Sequence, residues 1–220
     1  MAFAIRSGWH RPAPDVDIER SILPSGDSLS LRRDSPGGHI PGEAGVWILL
    51  FGEMTFFALL FASFLLYRTS DVAGFTASQA HLSKAVGLTN TLLLLTSSLF
   101  VAKAVGAASR GDTSSAPRLF RLGLACAIGF ILLKGFEYHE LFDRGIAIDS
   151  HVFFSFYFGL TVLHLGHVVI GSILLGAMSV ATGKMLAKPS HLALIESGGC
   201  FWHMVDLLWI VIFALLYLVE

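Results

Sequence analysis

Five ionisable side chains interrupt stretches of the sequence that are otherwise strongly apolar: Glu53, His164, His167, His203 and Asp206. Placing such a group in hydrocarbon costs several kcal/mol unless it faces a protein interior and finds a partner. Histidine and carboxylate side chains can ligate haem, copper or a di-metal centre, and a buried glutamate can relay protons. They can also fix helix packing by hydrogen bonding between helices.

The spacing of these groups predicts a polar seam between helices. His164 and His167 are three residues apart, so they share one face of a helix. One narrow stripe on another helix consists of Trp202, Asp206 and Trp209, and His203 lies beside this stripe. A single seam that joins all of these groups is the simplest arrangement.

Three functional interpretations of the seam remain open, namely metal ligation, proton relay and structural hydrogen bonding. Ligation of haem by two histidines needs them on facing helices at matched depth, and the Glu-x-x-His pair of di-iron bundles is absent. Cys126 and Cys200 are far apart and form no redox or zinc motif. We therefore favour a hydrogen-bonded network that fixes helix register, and we predict no metal ligand in the chain.

A second polar group follows the third apolar segment. It consists of Lys134, Glu137, Tyr138, His139 and Glu140. Lys134 and Glu137 are three residues apart and can neutralise each other. We predict a solvated helix end, at which long charged side chains reach towards water and the last three residues face the membrane interface.

The elements that must position these residues are membrane-spanning helices. The chain has 220 residues, of which 54% are hydrophobic and 14% charged, with a net charge of −1. No basic cluster indicates nucleic-acid binding. Five segments could cross a hydrocarbon core of about 30 Å, with the third helix extending to about residue 141. They are Gly45–Tyr67, Val86–Ala108, Leu119–Phe136, Val152–Thr182 and Ser197–Val219. We predict an all-α integral membrane bundle of five transmembrane helices over residues 43–220.

Residues 1–42 differ in composition from the rest of the chain. They contain five of the seven prolines and no apolar stretch longer than a few residues. Such a segment cannot bury a core, so we predict a disordered tail. Arg6 and Arg11 interrupt any candidate signal peptide, and we expect the tail to stay on the mature protein.

The distribution of basic residues predicts the orientation in the membrane. Eleven Lys and Arg residues fall on the side of the amino terminus and four on the other side. The cytoplasmic side carries the excess, so the amino terminus should be inside and the carboxyl terminus outside. The five ionisable groups then converge on the cytoplasmic half. By depth, the nearest partners of Glu53 are His167, His203 and Asp206. A small proton-coupled transporter is disfavoured because the sequence shows no repeat.

The last segment resembles subunit III of the haem-copper oxidase superfamily. Its most specific part looks like the family signature W-H-x-V-D-x-x-W, which reads here Trp202-His203-Met204-Val205-Asp206-Leu207-Leu208-Trp209. Further similar motifs are Gly52-Glu53, Leu88-Thr89-Asn90-Thr91, Phe136-Glu137-Tyr138-His139-Glu140 and His164–Gly171. The resemblance runs from about Pro41 to Val219. The family's long form has seven helices, whereas this chain resembles a five-helix short form that lacks the first two.

The resemblance implies a non-catalytic accessory subunit of a respiratory complex in the bacterial cytoplasmic membrane. In that family the haem and copper belong to subunits I and II, so this chain should bind neither. Its partner would be the catalytic subunit I of a cytochrome c oxidase or a nitric oxide reductase. Glu53 would occupy the family's intramembrane carboxylate position.

Two finer expectations also come from the resemblance. The opening Pro41-Gly42-Glu43-Ala44-Gly45-Val46-Trp47 looks most like the branch associated with nitric oxide reductase. Phospholipid is a further candidate ligand, although the two helices that wall one side of the family's lipid cleft are absent. The rival interpretations from other classes are a membrane redox protein with its own His-ligated metal and the small transporter.

Overall fold

Six α-helices form the part of the chain that the computed structural model describes, residues 44–184 and 189–219. They are α1 (Ala44–Ser70), α2 (Val72–Gln79), α3 (Lys84–Ser109), α4 (Ser115–Asp143), α5 (Val152–Lys184) and α6 (Pro189–Phe213), which continues into a π-helical turn at Ala214–Leu218. No strand occurs within these residues. The all-α prediction is confirmed, and the predicted tail over residues 1–42 lies outside the described residues.

Five of these helices are long and apolar enough to cross a membrane, as predicted. The candidate spans are Gly45–Ser70, Lys84–Ser109, Ser115–Asp143, Val152–Thr182 and Leu192–Leu218. Several helices extend beyond the predicted apolar segments, because a helix continues past the hydrocarbon with polar residues at its ends. Helix α6, for example, begins at Pro189, and proline suits the first position of a helix.

The short helix α2, which the sequence did not predict, is anchored at its start by a side-chain cap. The Asp71 carboxylate accepts a hydrogen bond from Gly74 N at 3.0 Å, and its other oxygen lies 3.1 Å from His151 Nε2. These hydrogen bonds, the one from Gly74 first, hold the pKa of Asp71 below its usual value. A Cβ at Gly74 would lie 2.2 Å from Asp71 Oδ2, so a larger residue would displace the capping carboxylate.

Glycine also ends two of the long helices. Gly111 after α3 and Gly145 after α4 have φ of +76° and +74°. Residues with a side chain rarely adopt this left-handed conformation, whereas glycine adopts it without strain. The chain can therefore reverse within a few residues, which places α3 and α4 side by side.

Helix α6 lies at the centre of the bundle and packs against α1, α3 and α5, while α4 packs against α3 and α5. Its side chains Trp202 and Trp209 are fully buried. The close approach of α5 requires glycine at position 171, because a Cβ there would lie 2.6 Å from the Trp202 ring. Helix α1 is peripheral, and Ile48 and Leu66 on it are more than two-thirds exposed.

The predicted orientation can be tested with fusion reporters after Arg110 and at the carboxyl terminus. Because α3 ends at Ser109 and α6 crosses in the opposite direction, the two positions should lie on opposite sides of the membrane. We expect a cytoplasmic signal at Arg110 and an external signal at the carboxyl terminus. An external signal at Arg110 would contradict the orientation.

Candidate functional site

The polar residues inside the bundle form separate groups, so the predicted single seam is wrong. No hydrogen bond within the described residues joins Glu53 or His167 to His203 or Asp206. The reason is aromatic packing. The His167 ring lies edge-on to Phe57, with centroids 5.5 Å apart, and is stacked near the Phe201 ring at 6.4 Å.

The first group is a pair between α1 and α5. Glu53 Oε2 lies 3.2 Å from His167 Nε2, and the two side chains are 31% and 13% exposed. The expectation that Glu53 meets His167 by depth is therefore confirmed, whereas His203 and Asp206 belong to another group. This pair links α1 to α5, and α1 otherwise has a largely exposed surface.

The hydrogen bonds of His167 determine how many protons the pair holds. His167 Nδ1 lies 2.9 Å from the carbonyl oxygen of Leu163, which can only accept, so Nδ1 carries a hydrogen. A hydrogen bond between Nε2 and Glu53 then needs one more proton. That proton lies on the carboxyl group or on Nε2, and in both cases the pair is neutral overall. The pair can thus hold a proton without placing a net charge in the membrane.

The second group joins α3 and α6. Ser98 Oγ lies 2.7 Å from His203 Nδ1, and Asp206 Oδ2 is 4.0 Å from the same nitrogen. The His203 side chain is 42% exposed and that of Asp206 only 5% exposed. Neither Asp206 oxygen forms a hydrogen bond with the described residues. Ser98 was not among the predicted residues. The one signal in the sequence was a serine hydroxyl inside an apolar segment.

His164 does not join His167, although the two residues lie on one helix face as predicted. The His164 ring is fully buried and lies 5.3 Å from the Trp209 ring and 5.8 Å from the Phe130 ring. Neither of its ring nitrogens has a hydrogen-bond partner among the described residues, and the same is true of the buried Asn90 amide. In this arrangement His164 serves as an aromatic packing residue.

Lys134 and Glu137 form the third group. The sequence analysis predicted that this pair is solvated, but it is buried. The Lys134 side chain is 1% exposed and the Glu137 side chain 4% exposed, with Nζ and Oε2 2.7 Å apart. Lys134 Nζ also donates to the hydroxyl groups of Tyr217 at 2.9 Å and Tyr157 at 3.2 Å. Tyr217 in turn donates to Glu137 Oε1 at 2.6 Å. All three ammonium hydrogens and both carboxylate oxygens therefore have partners.

The predicted solvation of this pair fails because distant tyrosines reach it. Tyr157 and Tyr217 are 23 and 83 residues from Lys134, so no local spacing could identify them. The ammonium group also lies over aromatic rings, 4.9 Å from the Tyr157 centroid and 5.0 Å from that of Trp209. Aromatic faces attract a cation and repay part of its lost hydration. The cluster connects α4, α5 and the π-helical turn.

Two residues of the predicted outer cluster, His139 and Glu140, are exposed, whereas Tyr138 is partly buried. His139 is 76% exposed and pairs with Asp143 at 2.9 Å, and Glu140, 57% exposed, pairs with Arg144. Tyr138 lies between the two environments, and its hydroxyl donates to Thr161 on α5 at 2.8 Å.

The described residues contain no group of three His, Cys, Asp or Glu side chains placed to hold a metal ion. Cys126 and Cys200 are free thiols on different helices. The geometry supports two chemical roles for the polar groups, which are hydrogen bonding between helices and the retention of a proton by the Glu53 pair.

Comparison with known proteins identifies the family. A family model described as cytochrome c oxidase subunit III matches residues 41–220. The chain belongs to this family. The predicted resemblance to subunit III is confirmed over residues 41–220.

Relatives from bacteria cover most of the chain. "Cytochrome c oxidase subunit 3" of Corynebacterium diphtheriae is 29% identical over 81% of this chain and 88% of its own length. The protein of that name from Synechocystis is 27% identical over 99% of this chain and 98% of its own length. "Probable cytochrome c oxidase subunit 3" of Mycobacterium tuberculosis is 28% identical over 89% and 97%. These relatives are named for the oxidase, and the predicted resemblance to the nitric-oxide-reductase-associated branch stays a prediction.

Proposed function

We propose that the chain is a non-catalytic accessory subunit of a haem-copper oxidase in the bacterial cytoplasmic membrane, where it binds catalytic subunit I. The observation that carries this proposal is the match of residues 41–220 to the subunit III family. The bundle fits this role, because its polar groups connect helices to one another and leave long apolar faces for contact within the membrane.

The polar clusters support a stabilising role within the complex. Each couples elements that are distant in sequence: Glu53 with His167, Ser98 with His203, and Lys134 with Tyr217. A bundle held in one register presents its outer faces in a fixed arrangement to a partner. We propose that the chain supports assembly and stability of the complex, and that the Glu53 pair can supply protons to it.

The names of the relatives favour dioxygen over nitric oxide as the substrate of the partner. The experiment is affinity purification of the tagged chain from its native membrane in mild detergent. We expect a haem-copper subunit I and its subunit II to co-purify. Recovery of a nitric oxide reductase would transfer the chain to the branch suggested by Pro41–Trp47, and recovery of neither would contradict the proposal.

The same preparation tests whether the chain carries its own cofactor. We expect the chain, after separation from its partners, to contain no stoichiometric haem, copper or iron, because the histidines of α5 have packing and hydrogen-bonding roles. Elemental analysis and a visible spectrum measure this. A metal that survives chelation and is lost from a His164→Ala, His167→Ala double variant would instead establish a redox protein. Phospholipid that remains bound would be found by phosphorus analysis of the same sample.

A further inference from the structure

We propose that the face formed by α3 and α6 binds a membrane-spanning helix of the partner subunit, and that His203 forms a hydrogen bond to that helix. This inference rests on the proposed function and specifies the surface that performs it. It starts from one unusual feature, a partly exposed ionisable ring at mid-depth in a membrane-spanning helix.

The depth of His203 follows from its place in the span Leu192–Leu218. At about 1.5 Å per residue it lies about 16 Å from the beginning of that span and about 22 Å from its end. Both ends of the hydrocarbon core, which is about 30 Å thick, are therefore remote from it. Yet 42% of the side chain is exposed on the surface of the bundle. Contact with lipid tails at this depth would leave a polar group unsatisfied.

The bundle itself satisfies only one edge of the His203 ring. Ser98 Oγ lies 2.7 Å from Nδ1, while no described residue forms a hydrogen bond with Nε2. In either neutral tautomer Nε2 offers one hydrogen-bonding group, a donor or an acceptor. The neighbouring Asp206 side chain is 5% exposed, and neither of its oxygens has a hydrogen-bond partner among the residues that the structure describes. Its nearer oxygen is 4.0 Å from Nδ1, which is too far for a hydrogen bond.

Exposed apolar side chains lie near His203 on both helices. Leu207 and Ile210 follow it along α6 and are 48% and 42% exposed, and Leu95 and Leu99 on α3 are 44% and 52% exposed. The hydroxyl of the exposed Thr96 is satisfied by the Leu92 carbonyl oxygen, so His203 is the position that still needs a partner. A helix that carries one hydrogen-bonding side chain at the same depth matches such a face. A lipid acyl chain could cover the leucines but offers nothing to Nε2. We therefore assign the face to a protein helix.

A second polar group that reaches the surface, the pair of Glu53 and His167, does not leave a hydrogen-bonding position unsatisfied. Glu53 is 31% exposed, but its carboxyl group is bonded to His167 within the chain. Lipid can contact that pair without leaving it unpartnered. The comparison singles out the α3 and α6 face for partner binding.

The test compares matched variants for co-purification of subunit I with the tagged chain. His203→Leu removes the hydrogen bond, and Leu207→Trp adds bulk to the same face. We expect each to lower the yield of co-purified subunit I by roughly three- to twenty-fold. His203→Gln, whose amide can still bond, should restore most of the yield. Leu132→Trp on α4, where the leucine is 58% exposed, is the control and should behave like the wild type.

One stability measurement and one further variant distinguish loss of partner binding from misfolding of the chain. The thermal stability of the isolated chain in detergent should be unchanged by Leu207→Trp, since Leu207 is 48% exposed and a larger side chain can extend outward from the bundle. Ser98→Ala removes the internal bond to the ring but leaves His203 in place, so co-purification should fall less than with His203→Leu.

Wild-type yields for both His203→Leu and Leu207→Trp would overturn the docking face while leaving the proposed function intact. Loss of subunit I only with Leu132→Trp would overturn it too, by assigning another face. Oxidative cross-linking of two chains through Cys200, one turn before His203, would show that the face binds a second copy of the chain and not a partner helix. Loss of bound phospholipid from the variants without loss of subunit I would show that the face binds lipid. If the wild-type chain itself recovers no haem-copper subunit, the proposed function fails first.

Discussion

Lys134→Met and Glu137→Gln are each expected to destabilise the bundle strongly, by about 3–5 kcal/mol. Either change removes one half of an ion pair whose side chains are 1% and 4% exposed, and leaves the other charge buried without its main partner. The double variant should recover most of this loss, because both charges are then gone. Equilibrium unfolding of the purified chain in a fixed detergent or bicelle mixture measures the three changes.

The control for this series is Glu140→Gln, three residues further along α4. Glu140 is 57% exposed and pairs with Arg144 at the surface, so its loss should change the free energy of unfolding by no more than about 0.5 kcal/mol. Tyr217→Phe is an intermediate case, because it removes one donor to Glu137 and one acceptor from Lys134. Single variants that unfold like the wild type, or a double variant no more stable than its parents, would show that the pair does not hold the bundle together.

The pairing of Lys134 with Glu137 could be predicted from the sequence, whereas the burial of the pair could not. The spacing of Lys134 and Glu137 was enough to predict that they neutralise each other, and the contact at 2.7 Å confirms it. Their burial was not predictable, because it depends on two tyrosine hydroxyls from α5 and from beyond α6. A charged pair near a helix end is usually solvated, and only the arrangement of distant helices distinguishes the two cases.

The membrane-spanning helices were predictable for a different reason. Hydrocarbon imposes a minimum length of apolar sequence, so hydropathy alone locates each span. Helix ends are less constrained, since polar residues can continue a helix into the headgroup region. For that reason α6 begins at Pro189 and not at Ser197. The short helix α2 carries a cap, Asp71, but too few apolar residues to produce a signal.

Within the bundle, the depth of each polar residue along its helix predicted one contact correctly. It also led to the wrong prediction that all of the polar residues share one seam. Glu53 and His167 lie at matching depth on helices that run in opposite directions, and they meet at 3.2 Å. Asp206 lies at a similar predicted depth but on another side of α6, where it faces Ser98 and His203. Depth is set by position along a helix, whereas the neighbouring helix on each side is set by packing that a single sequence does not specify.

The second large effect is expected at Glu53, where Gln and Ala should differ. With Nδ1 of His167 bonded to Leu163, a neutral His167 presents an acceptor at Nε2. The amide of Glu53→Gln can donate to that nitrogen, so the link between α1 and α5 remains. Glu53→Ala leaves Nε2 without a donor at a cost of about 1–3 kcal/mol. Because α1 also packs against α6, whose outer face we assign to the partner subunit, we expect the Ala variant to lose catalytic subunit during purification and the Gln variant to retain it.

The Gln variant also separates the structural role from proton handling. It keeps the hydrogen bond but cannot exchange a proton as a carboxyl group does. If the pair supplies protons, Glu53→Gln should assemble normally yet show slower turnover or faster inactivation of the complex. Thr55→Ala is a matched control, since Thr55 bonds only to the backbone of α1 at Phe51. Co-purification and sustained turnover, measured for all three variants, decide between the roles. Normal assembly and turnover with both Glu53 variants would mean that the pair does neither.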